Sequence, residues 1–184
     1  MSKGRVVLDV SMSLDGFVAG PNDEVDRLHH WAFGGKADTD AEILDTGVKA
    51  AGAIVMGRRT FDLHPSGPYG LPAFVVTHDV PKRPATGDSP ITYVTDGVES
   101  ALAQATAAAG DKSVVVMGAD IARQCMRKML LDELHIHLVP VLLVQGIRLF
   151  EHLGHDPIEL ERTSVIPTPA ATHFAFRVIR GQGE

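Results

Sequence analysis

Hydrophobic positions fall along this chain in short, β-branched runs separated by segments with helical spacing, and that alternation predicts an α/β order. Residues 5–10 read as a first strand, apolar on both faces apart from Asp9, as a central strand would be. Gly16, Gly20 and Pro21 mark residues 11–21 as a loop. Val25, Leu28 and Ala32 keep helical spacing behind Asp23 as a cap. Ile43, Leu44, Val48 and Ala51 give a second helix its apolar stripe, opened by Thr39 and Glu42 as a capping box. Runs at 53–56, 73–77, 91–95 and 114–117 predict further strands, with loops at the Gly- and Pro-rich segments 64–72 and 81–90. An alanine-rich helix starts at the capping pair Asp96 and Glu99 and closes at Gly110. The helix after Gly118 has Asp120 near its cap and a core face at Ala122, Met126, Met129 and Leu130. Strands at 134–144, interrupted by Pro140, and at 158–166 and 172–179, joined through Pro167 and Pro169, complete the chain. Strand, helix and strand repeated, then strands alone, predict a mainly parallel sheet flanked by helices with an antiparallel C-terminal portion.

Two of these strands end in the same way. The run to Met56 gives Met-Gly-Arg-Arg-Thr-Phe61, and the run to Met117 gives Met-Gly-Ala-Asp-Ile121. A glycine at a strand-to-helix corner lets the backbone approach a ligand, and the free N–H groups of the next helix suit a phosphate. Two such corners could hold one dinucleotide between them. Arg58 and Arg59 leave the first corner side by side, and guanidinium forks match phosphate oxygens bidentately. A 2'-phosphate on an adenosine ribose needs that reading, which points to NADPH rather than NADH. Read alone, the arginine pair would be a solvated helix start.

Composition narrows the picture without changing it. The 184 residues fit one domain, 1–184, and 45% hydrophobic with 22% charged residues is ordinary for a globular fold. A net charge of −6 gives no reason to expect nucleic acid or an anionic membrane surface as partner. The single cysteine, Cys125, allows neither an internal disulfide nor a cysteine-based zinc site. The N-terminal residues lack the features of a signal peptide, and no apolar run approaches the roughly 18 residues of a membrane span. A cytoplasmic protein acting on a small molecule is expected.

With these residues in place the chain resembles the dihydrofolate reductase-like superfamily. Within it, the match is to the reductase domain at the C-terminus of bacterial bifunctional riboflavin-biosynthesis deaminase-reductases, and to its stand-alone relatives. The resemblance rests on Ser13-Leu-Asp-Gly-Phe-Val-Ala19, Met56 to Phe61, Val75-Val-Thr77, Val115-Val-Met-Gly118, and Asp132 to Leu143 followed by Gly146, Leu149 and Phe150. It implies a three-layer fold and an NADPH-dependent reductase. Gly57, Arg58, Arg59 and Thr60 would hold cofactor phosphates. Thr77 would lie beside the adenosine, Gly118, Ala119, Asp120 and Ile121 would cradle the pyrophosphate, and Val18, Ala19 and Gly20 would border the nicotinamide. It also implies a homodimer, in which the C-terminal strands could bury an edge. Against the family's usual pattern, this chain has Gly118-Ala119-Asp120 in place of a Gly-Gly pair and Val144-Gln145-Gly146 in place of a longer glycine string. The zinc-deaminase motifs are missing, as is the basic helix motif ahead of the second strand.

For the acid beside the transferred hydride, Asp15 ranks first and Asp26 second. Asp15 lies in the loop placed at the cofactor's mouth, though an Asp-Gly turn residue is an equally ordinary reading. Asp26 precedes Leu28 and Trp31 on the first helix, where dihydrofolate reductases carry a substrate carboxylate. His135 and His137 share one strand face, but no third ligand accompanies them, so no metal site is expected. The substrate implied first is 5-amino-6-(5-phosphoribosylamino)uracil. A pterin reductase of the dihydrofolate type and a non-catalytic NADPH-binding module are the alternatives. A Rossmann dehydrogenase would need its glycine fingerprint after the first strand, where this chain has Ser-Leu-Asp-Gly.

Overall fold

The computed structural model describes residues 4–34, 38–63, 65, 67, 69–81 and 89–180. In chain order the elements are β1 (Val6–Ser13), β2 (Phe17–Ala19), α1 (Asp26–Phe33), α2 (Asp38–Ala50), β3 (Ala51–Gly57), α3 (Arg58–Leu63), β4 (Ala73–Val76) and β5 (Ile91–Val94). They continue with α4 (Val98–Ala109), β6 (Ser113–Met117), α5 (Ala119–Arg127), β7 (Glu133–Val139), β8 (Ile147–Arg148), β9 (Leu160–Pro167) and β10 (Thr172–Val178). Eight strands form one sheet in the order β5-β4-β3-β6-β1-β7-β10-β9, while β2 and β8 pair separately. The sheet is parallel from β5 to β7 and antiparallel at β10 and β9. The local reason is the connection: helices lie between most successive strands of the parallel part, and a short turn through Thr168 joins β9 to β10.

Three layers result. On one face α4 and α5 set Val98, Ala101, Leu102, Ile121 and Met126 against Val6, Leu8, Val55, Val114 and Val116. On the other, α3 places Phe61 on Ile54, Met56 and Val75, and α1 places Leu28 and Trp31 on Val139 and Ala171 beside Ile43 and Leu44 of α2. Cys125 is fully buried in the first of these layers, and burial, with a contribution from the charge of Glu99, pushes its thiol up to about 12. Among the described residues no helix is long and apolar enough to cross a membrane.

Several local expectations are corrected. The first strand runs three residues beyond Val10, because Asp9, Ser11 and Ser13 alternate with apolar residues and share one face of the sheet. The predicted loop contains β2. Asp23 is not a cap: it sits at φ 61°, and α1 starts behind Val25 without a side-chain cap bond. Thr39 lies inside α2 rather than ahead of it, so the capping box with Glu42 is not formed. Asp96 likewise gives way to Gly97 as N-cap of α4, although Gly110 does close that helix. α5 ends at Arg127, leaving Met129 half-exposed at φ 51° rather than on a core face. The strand predicted over 134–144 stops at Val139, before Pro140, which has no N–H for the ladder. Of the predicted loops at 64–72 and 81–90, residues 64, 66, 68 and 82–88 lie outside the described residues, as do 1–3, 35–37 and 181–184 of the domain expected over 1–184.

Candidate functional site

Met56 and Met117 are Cα partners across the parallel pair β3 and β6, so Gly57 and Gly118 leave the sheet side by side at its carboxyl edge. The helices that follow meet there. A Cβ on Gly118 would lie 2.3 Å from Thr60 Oγ1, and one on Gly57 would lie 3.3 Å from Ile121 Cγ1. Gly118 also has φ 89°, a conformation L side chains rarely adopt. α5 begins without a side-chain cap, and its first bond in that turn runs from the Ala122 N–H to the Gly118 carbonyl at 3.0 Å. The N–H groups before Ala122 therefore have no acceptor within the helix, and the helix dipole adds positive potential there. Asp120 does not cap: its carboxylate accepts a bond from Gln124 Nε2 at 2.8 Å.

Over these corners lies a cleft of about 950 Å³, which takes in both 57–60 and 118–121 together with Val18, Ala19 and Thr77. Crevices at the carboxyl ends of parallel strands are where open α/β sheets bind ligands. Gly20 sits behind Val18 and Ala19, its N–H donating to the Glu24 carbonyl at 2.8 Å. Three arginines line this end, each held by a carboxylate: Arg58 by Asp62 at 2.7 Å, Arg59 by Asp23 at 2.8 Å and Arg123 by Glu151 at 2.5 Å. The Arg59 side chain is 66% exposed, so its pairing with Asp23 competes directly with water or an incoming anion.

The other end of the cleft is built from the polar face of β1, β7 and α1. Asp9 pairs in register with His135, Ser11 with His137, and His137 with His173 of β10. The Asp9 carboxylate faces His137 Nε2 at 3.2 Å and His135 Nδ1 at 3.7 Å. Burial opposes its charge, but the hydrogen bonds and charges of the two histidines outweigh burial and hold the carboxyl well below the usual carboxylate range. The hydrogen bond to Asp9, against burial and with help from Glu133, raises His135. Behind this front, His137 Nδ1 lies 2.7 Å from His173 Nδ1, and His173 Nε2 lies 3.1 Å from Asp40 Oδ1 of α2. Burial first, and then the charge of His137, lower His173. Trp31 covers both rings, with its centroid 4.2 Å from that of His137, and donates from Nε1 to Ser11 Oγ at 2.8 Å. Tyr69 lines the same end, its phenol pushed up by burial and by the charge of Asp9.

Neither carboxylate favoured from the sequence lies in this cleft. Asp15 is a loop anchor: it accepts bonds from Ser13 Oγ at 2.6 Å and from the N–H groups of Leu143 at 3.1 Å and Val144 at 2.8 Å. These bonds tie the loop after β1 to the segment after β7, which β2 and β8 also join. Asp26 is exposed at the start of α1. The acid that faces the cleft beside the histidines is Asp9, which the strand pattern hid as an isolated polar residue. The available signal was the repeat of polar residues at 9, 11 and 13.

The family described as RibD C-terminal domain matches residues 5–174. Among solved structures, a putative riboflavin biosynthesis protein from Shewanella sp. PV-4 is 23% identical, with a TM-score of 0.80 over 96% of this chain and 99% of that one. A diaminohydroxyphosphoribosylaminopyrimidine deaminase/5-amino-6-(5-phosphoribosylamino)uracil reductase from Thermotoga maritima is 13% identical, with a TM-score of 0.71, and this chain covers 57% of it. A dihydrofolate reductase from Enterococcus faecalis, complexed with NADP(H), is 15% identical with a TM-score of 0.66, over 96% of this chain and 98% of that one. At these identities the likenesses establish a shared three-layer fold.

Proposed function

Because the chain belongs to the RibD C-terminal domain family, we propose that it is a cytoplasmic NADPH-dependent reductase that passes a hydride to a small heterocyclic or sugar-bearing substrate, an aminopyrimidine ribotide first. The observation that carries this reading is the meeting of the Gly57 and Gly118 corners beneath one cleft. The residues present fit the cofactor: a side chain at Gly118 would fill the cradle, and the uncapped start of α5 leaves backbone donors for a pyrophosphate. Arg58 and Arg59 would bind the 2'-phosphate after exchanging Asp62 and Asp23 for it. Thr77 would border the adenosine, and Val18, Ala19 and Gly20 the nicotinamide. When bound, the cofactor supplies the hydride. The protein's part is to orient the two ligands, exclude water between them and present the polar wall at Asp9 to the substrate.

We further propose a homodimer. β9 is an edge strand exposed along its whole length, with Leu160, Val165 and Ile166 among its open apolar residues. Light scattering giving a monomer mass at micromolar concentration would refute that.

The direct test is stopped-flow NADPH oxidation with 5-amino-6-(5-phosphoribosylamino)uracil and, in parallel, dihydrofolate. Turnover with the ribotide is expected. Turnover with dihydrofolate alone would make the protein a pterin reductase, and NADPH binding without oxidation of either would favour a non-catalytic module.

A further inference from the structure

The wall at Asp9 continues inward as an unbroken line of polar contacts: Asp9 Oδ1 to His137 Nε2, His137 Nδ1 to His173 Nδ1, and His173 Nε2 to Asp40 Oδ1, at 3.2, 2.7 and 3.1 Å. Its inner members are sealed, with side-chain exposures of 7% for His137, 5% for His173 and 2% for Asp40, while Asp9 is 36% exposed and opens on the cleft. Among the described residues Asp40 Oδ2 meets no hydrogen-bond partner and Asp40 Oδ1 meets His173, whose Nε2 also has a long approach to Thr168 Oγ1 at 3.5 Å.

Hydrogen counting then gives a result that no single contact shows. Each of the three contacts needs one hydrogen, and a neutral imidazole carries only one. Two neutral rings between two ionised carboxylates would leave one contact as a lone pair facing a lone pair, inside a buried and weakly screened site. All three contacts are made as hydrogen bonds only with a third proton in the line. It can sit on His137, making an imidazolium under the Trp31 ring, or at Asp40 with His173 protonated at Nδ1. The two placements interconvert by moving hydrogens along bonds already made.

We propose that this surplus proton is the one given to the substrate, that Asp9 is its exit, and that His173 and Asp40 are positioning residues that keep it in store. The proposal rests on the reductase reading above. Hydride addition to a C=N or C=O carbon sends the π electron pair to the heteroatom, which then needs one proton. His137 yields its Nε2 proton to Asp9, and Asp9 passes a proton to that heteroatom, directly or through water. His137 is left neutral with its Nδ1 hydrogen still donated to His173, and the line is refilled from solvent through Asp9. Among the described residues the other titratable groups facing the line include His135 and Glu133 of β7, and Tyr69 across the cleft.

The test begins with the full chain without ligand, labelled with ¹⁵N in histidine and ¹³C in aspartate carboxyls, at neutral pH. The expected result is scalar coupling between the two Nδ1 atoms and a total of three hydrogens over the two rings and Asp40. Two neutral rings with both carboxylates ionised, or no coupling between the rings, would overturn the store. His173→Phe should remove the third proton, with His173→Gln, which keeps an acceptor for His137, restoring it. If His173→Phe does not fold, the wild-type hydrogen count and the Gln variant decide. In stopped-flow NADPH oxidation with the ribotide or dihydrofolate, His137→Gln should lose on the order of 100-fold in kcat. His173→Phe should change the pH profile of kcat, and both variants should keep their affinity for NADPH. A kcat and pH profile unmoved in both variants would overturn delivery while leaving the reductase standing. A wild type that oxidises no NADPH would remove the reductase reading and delivery with it, while the hydrogen count would still report on the store.

Discussion

Arg59 grips Asp23 with two prongs, Nε to Oδ2 at 2.9 Å and a terminal nitrogen to Oδ1 at 2.8 Å. The pair spans the mouth of the cleft, from the first turn of α3 to the loop between β2 and α1, so Asp23 already holds the fork that a 2'-phosphate would take. Replacing Arg58 and Arg59 together by Ala should weaken NADPH by roughly tenfold to a hundredfold more than NADH, because hydrogen bonds to charged groups are worth about 1.5–3 kcal/mol. Asp23→Ala should tighten NADPH instead, by removing the competitor. Fluorescence titration with both cofactors checks this, and equal losses in the arginine variant would show that the pair does not read the phosphate.

Gly118→Ala puts a Cβ 2.3 Å from Thr60 Oγ1 at φ 89°. Gly110→Ala is the control, since it meets nothing within 4 Å, does not line the cleft and shares the backbone strain at φ 66°. Each should lose about 1–3 kcal/mol through the backbone. The Gly118 variant should lose more in urea unfolding, and it alone should lose affinity for NADPH.

Asp15→Asn should act on stability rather than on cofactor affinity. The Ser13 hydrogen bond, against burial and with the Val144 and Leu143 N–H groups, lowers the Asp15 carboxyl. Its contribution is therefore present above the unfolded value of about 3.9 and is lost as pH falls through the folded value. The difference in denaturation midpoint between wild type and variant should be constant near neutrality and close below about pH 4. A gap that persists in acid would point to the amide geometry rather than the charge.

His135 gives the opposite slope. Its folded pKa is raised, so the stability it contributes is complete below the unfolded value of about 6.5 and is lost as pH rises through the folded value. Asp9, held low by the same pair and by His137, loses its contribution on the acid side instead. His135→Gln should therefore fall short of wild type most clearly between about pH 4 and 6.5 and converge with it in alkali, as followed by thermal unfolding across that range.

The sequence by itself determined the eight strands of the main sheet, the helices on either side of them and the two Met-Gly corners, but not the β2-β8 pair. Those features are local: a β-branched run, a helical stripe and a glycine before a polar residue carry their meaning within about ten positions. Helix caps were less legible, because a cap is worth only about 1 kcal/mol and a tertiary partner outbids it. Asp23, for example, is held by Arg59. Only the tertiary structure decided which acid joins the histidines in the wall of the cleft. Asp9 and His137 are 128 residues apart, His137 and His173 are 36 apart, and His173 and Asp40 are 133 apart. Sheet register sets those neighbours, together with the way α2 docks, and in a strand a shift of one residue would turn Asp9 to the opposite, apolar face.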